Sequence, residues 1–94
     1  MSRHISSANL TAENTGTPWV KLSQGNFLAS LAETWVATIH LQRSPDAGVT
    51  ARDVDSFTAN TEEVGFTPED QWFRWFIYTG DFTSGTAVCV ISQK

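Results

Sequence analysis

Residues 34–57, TWVATIHLQRSPDAGVTARDVDSF, read as a strand, a tight turn and a returning strand. Large apolar or small side chains recur at Trp35, Ala37, Ile39 and Leu41. A period of two puts alternate side chains on opposite faces of a pleated strand, whereas a helix face needs spacings of three and four. Ser44-Pro45-Asp46-Ala47-Gly48 then supplies turn residues, and Val49 to Phe57 returns. A half-buried hairpin of this kind points the chain towards all-β structure.

The remaining segments agree. Trp19 to Leu22, Asn26 to Leu31, Arg52 to Thr58, Glu63 to Phe66, Gln71 to Thr79 and Thr86 to Ser92 read as further strands. They are separated by Ser23-Gln24-Gly25, Thr67-Pro68-Glu69-Asp70 and Gly80 to Gly85. Counting the long strand Trp35 to Gln42, about seven short strands predict an antiparallel sandwich, immunoglobulin-like or jelly roll. Leu28 to Ala37 is helix-rich in composition, but it lacks a cap and runs into β-branched and aromatic residues.

At 94 residues the chain makes one domain. Its first part differs in character. Ser2 to Pro18 is rich in Ser, Thr, Asn and Gly, with Ile5 and Leu10 its sizeable apolar groups. The expected division is an extended N-terminal arm over residues 1–18 and a β-sandwich domain over residues 19–94. Such an arm is either a frayed terminus or a segment that orders on a neighbouring subunit through Ile5 or Leu10.

Gln71 to Tyr78 is apolar on both faces. Trp72, Arg74, Phe76 and Tyr78 share one face; Phe73, Trp75 and Ile77 share the other. The second face suits the core. The first predicts a partner interface, because contiguous exposed apolar surface marks interaction sites and Arg74 among rings allows cation–π contact. The expected interface residues are Ile5, Leu10, Trp19, Trp72, Arg74, Phe76 and Tyr78.

Charge narrows the partners. Formal net charge is −4, and the six Lys and Arg residues are scattered singly, so no phosphate-binding stripe exists and no nucleic-acid partner is expected. No stretch suits a signal peptide or a membrane span, and no membrane partner is expected. The one cysteine, Cys89, lies in an apolar run and reads as a buried thiol, compatible with a reducing compartment.

The chemistry-bearing residues give no enzyme signature. His4 and His40 have no metal-ligand spacing, so no metal and no cofactor is expected. Asp53 and Asp55, two apart, read as one solvated strand face; the calcium or acid–base alternative is the less economical reading. Ser44-x-Asp46-x-Gly48-x-Thr50 matches most of the Asp-box hairpin pattern, with Ala51 where that pattern has Trp. The motif is a structural corner and does not predict a glycosidase.

Beyond the residues themselves, Trp35 to Ser92 resembles a group of small β-sandwich proteins of tailed-phage virions. The matching pieces are TWVATIHLQRSPDAGVTARDV, the link SFTANTEEVG and the strand ending TGDFTSGTAVCVIS. The resemblance implies a non-enzymatic virion protein, made in the host cytoplasm, that decorates or cements the capsid. Its partners would be the major capsid protein and copies of itself. The alternative it leaves is a tail or head–tail accessory domain that binds host-surface glycans through exposed aromatic rings.

Overall fold

The computed structural model describes residues 4–93. Eleven strands follow in order: β1 (His4–Leu10), β2 (Thr15–Gly16), β3 (Val20–Leu22), β4 (Gly25–Ala32), β5 (Trp35–Ala37), β6 (Ile39–Ser44), β7 (Arg52–Phe57), β8 (Thr61–Thr67), β9 (Gln71–Ile77), β10 (Phe82–Gly85) and β11 (Ala87–Gln93). The chain is all-β, and every strand pairing is antiparallel.

One sheet runs β1-β11-β4-β8. The other centres on β9, with β6 and then β7 on one side and β2 and β3 end to end on the other. A two-stranded ribbon joins β5 to β10. The two larger sheets face each other as a sandwich. Trp75 of β9, fully buried, donates its indole N–H to the Val90 carbonyl of the facing sheet at 3.0 Å. Phe73 of β9 meets Phe27 of β4 with ring centroids 4.7 Å apart. Phe73, Trp75 and Ile77 alternate into this core as expected.

Five expectations are corrected. The strand Trp35 to Gln42 is broken at Thr38, whose amide donates to the Asp81 carbonyl at 2.8 Å instead of to a ladder partner. Its first part joins the β10 ribbon and its second enters the large sheet. Among the described residues the strand count is eleven, not seven: the break at Thr38 adds one, and β1, β2 and β10, which lack large apolar periodicity, add three.

Residues 4–10, expected in an extended arm, pair with β11 along the whole length of β1. Leu10 is not an interface residue: it is 3% exposed within the core. The physical reason is small-residue packing. The inward face of β1 is Ser6, Ala8 and Leu10, while its other large apolar side chain, Ile5, points outward. The segment therefore reads as polar although it builds a sheet edge. Thr17 ties the next segment down, accepting from the Trp75 amide at 3.0 Å and donating its own amide to the Trp75 carbonyl at 2.9 Å.

Asp53 and Asp55 do not share a face. Leu41 opposes Asp55 and Gln42 opposes Asp53, so Val54 bulges out of the ladder. A bulge adds one residue to a strand and resets its alternation.

Candidate functional site

The outer face of the β9 sheet gathers most of the expected interface residues. β9 turns Trp72, Arg74 and Phe76 outward, each half-buried, and the chain continues to the exposed Tyr78. β3 and the residue before it bring Lys21 and Trp19 alongside. The Arg74 guanidinium lies 4.5 Å from the Trp19 ring centroid and 4.3 Å from that of Phe76. Lys21 reaches over Trp72 at 5.3 Å. Phe76 and Tyr78 meet edge to face at 5.2 Å. The result is a ridge of rings interleaved with two cations, on a strand whose other face is locked in the core.

A Ser44–Asp46 turn supports one end of this ridge. The Ser44 hydroxyl donates to Asp46 Oδ1 at 2.7 Å and accepts from the Gly48 amide at 2.8 Å, and the Thr50 amide donates to Asp46 Oδ1 at 2.8 Å. The Ser44 hydrogen bond, followed by that of Thr50, holds the Asp46 carboxyl below its ordinary range. Gly48 adopts φ +95°, and a Cβ there would lie 2.6 Å from Trp19 Nε1. The indole over this turn therefore comes from Trp19, not from position 51.

Beside the rings runs a polar network that the sequence reading missed. Gln42 is 1% exposed. Its amide oxygen accepts from Arg74 Nε at 2.8 Å, and its amide nitrogen donates to Asp53 Oδ1 at 3.1 Å and to the Tyr78 hydroxyl at 2.6 Å. Tyr78 in turn donates to Asp53 Oδ1 at 2.9 Å. His40 stands between two carboxylates: Nδ1 is 3.4 Å from Asp53 and Nε2 is 3.0 Å from Asp81. Partial burial, then the bond to Asp53 and its charge, raise the Tyr78 pKa and keep the phenol protonated. Burial lowers the Arg74 pKa from a value high enough that the cation persists.

Chemically, this surface offers apolar rings, fixed donors and fixed acceptors side by side. Both His40 nitrogens face carboxylates, which ties the β9–β10 turn to the sheet. Among the described residues no cluster of His, Cys, Asp or Glu is arranged to hold a metal ion. His40 and Gln42 were visible as outward positions of their strand. Asp53 and Asp81 were not, because a bulge places one and a turn the other.

Ile5 lies elsewhere. It is 54% exposed on the outer face of the β1-β11-β4-β8 sheet. Pairing sets it in a cross-strand row with Ser92, Leu28 and Val64.

A second concave feature opens between the edge strands β7 and β8. This cleft encloses about 510 Å³. Its floor is Phe27, Leu41, Phe57 and Phe73, and Asp55 lines it from the far side of the Val54 bulge.

No family model, no curated protein and no solved structure matches the chain.

Proposed function

We propose that this chain is a non-enzymatic structural protein of a tailed-phage particle. It decorates or cements the capsid shell by binding neighbouring capsid subunits, with copies of itself nearby. The observation that carries the binding part is the Trp19–Arg74–Phe76 stack on the outer face of β9. Aromatic and arginine side chains dominate binding energy at protein interfaces, and pre-ordered ones lose little entropy on docking. The virion part rests on the resemblance of Trp35 to Ser92.

Docking would bury the exposed edges of Trp19, Trp72, Phe76 and Tyr78 against the shell. Burial of apolar surface is worth about 25 cal/mol per Å² before association costs are subtracted. Analytical ultracentrifugation of the chain, alone and with assembled capsids, tests the reading. Co-sedimentation with capsids supports it, whereas a strict monomer that ignores capsids contradicts it.

A second reading draws on one observation. The Tyr78, Asp53 and His40 polar groups lie directly beside the ring edges of Phe76 and Tyr78. Rings flanked by fixed donors and acceptors suit sugar faces and hydroxyls. Under that reading the chain is a tail or head–tail accessory domain, and Trp72→Ala abolishes binding to a glycan array.

A further inference from the structure

A second apolar surface, sharing no residue with the β9 ridge, lies on the open side of the sandwich. β7 and β8 are the outer strands of their sheets on that side, each paired along one edge only. The cleft between them encloses about 510 Å³. Its floor is the core itself, with Phe27, Leu41 and Phe73 each under a tenth exposed. Its lip is apolar and exposed: Val54 is 50% accessible, Val64 78% and Phe66 62%. Gly65 leaves the cleft wall flat, since any Cβ there would stand 2.4 Å from the Phe27 ring.

The two edges differ. β7 carries the Val54 bulge, and a bulged edge pairs poorly with another strand. β8 is regular over seven residues, with an unbroken register to β4. It contains neither lysine nor proline, two of the usual guards of a free edge. A strand added to β8 would lay alternate side chains into the cleft over Phe27 and Phe73 and set the others beside Val64 and Phe66.

Charge selects what that strand carries. Three carboxylates, Asp55, Glu63 and Glu69, line the cleft against one guanidinium, Arg43, which donates to Gln71 Oε1 at 3.0 Å. We propose that the β7–β8 cleft receives one extended segment of a partner protein. The segment joins β8 as an extra antiparallel or parallel strand, with apolar residues facing the cleft and lysine or arginine residues at its acidic lip.

The test titrates the full chain with a capped octapeptide of alternating valine and lysine, and with its valine–glutamate counterpart, using amide NMR shifts and hydrogen exchange. The expected result is saturable binding at least tenfold tighter for the lysine peptide, weaker at high salt, with new protection at Glu62 to Phe66. Glu63→Lys combined with Glu69→Lys, both on the surface, should reverse the peptide preference. Equal binding of both peptides, protection on β9 instead of β8, or no saturable binding would overturn the proposal. So would a β8-paired dimer that forms without peptide, since the occupant would then be a second copy.

Discussion

Gln42 and Arg74 are cross-strand partners on the outer face of the large sheet, and the guanidinium Nε donates to the Gln42 amide oxygen at 2.8 Å. The same amide bonds Asp53 and Tyr78 through its nitrogen. One buried side chain therefore holds Arg74 of the ridge and its polar border together. Gln42→Leu keeps the volume but leaves Arg74 without this acceptor. The expected loss of stability is about 1–3 kcal/mol by urea denaturation. A change near zero would mean that water replaces Gln42 at no cost.

Trp75 and Trp72 lie three residues apart on one strand yet on opposite faces. Trp75→Ala should cost about 3–5 kcal/mol, because it empties the centre of the core. Trp72→Ala should cost distinctly less while weakening partner binding. Equal costs in denaturant titrations would contradict the assignment of faces.

Gly48 and Gly80 separate backbone strain from steric contact. Both hold positive φ, +95° and +89°, but only Gly48 is crowded, by Trp19. Gly80→Ala should cost about 1–2 kcal/mol from the left-handed conformation alone. Gly48→Ala should cost more and should shift Trp19 fluorescence. Identical costs would show that Trp19 yields freely.

Cys89 is fully buried, and burial pushes its thiol from 9.0 up to about 12. The thiolate is therefore disfavoured in the folded chain relative to the unfolded one. Stability contributed by this group is complete below about pH 9, falls as pH rises from there, and is lost by about pH 12. Thermal denaturation across that range should show the decline, reduced in Cys89→Ala. At pH 8 a thiol reagent should label the native chain only as fast as it unfolds.

Deleting the first ten residues should unfold or severely destabilise the domain. That deletion removes all of β1 and the buried Leu10, and exposes the edge of β11. Leu10→Ala alone should cost about 2–5 kcal/mol. A truncated chain with an unchanged far-ultraviolet dichroism spectrum and melting temperature would restore the division at residue 18.

Alternation made the core strands legible. Phe73, Trp75 and Ile77 point inward and Trp72, Arg74 and Phe76 outward, as period two requires. The ridge was legible for the same reason, since four of its members share one strand or its extension. Less visible was β1, whose inward side chains are mostly small. Asp53 entered the network only through the bulge at Val54, which no residue type announces, whereas Asp55 faces the cleft by plain alternation with Phe57 opposite Leu41 and Ile39. Trp19 covering Gly48 is a contact between residues 29 positions apart, and pairing geometry alone creates it.

The most direct test of the account is co-sedimentation of the chain with assembled capsids, comparing the native sequence with Arg74→Glu combined with Phe76→Ala. The account predicts that the native chain pellets with capsids, while the variant, still folded by circular dichroism, stays in the supernatant. A folded variant that pellets as well as the native chain, or a native chain that never pellets, would contradict it.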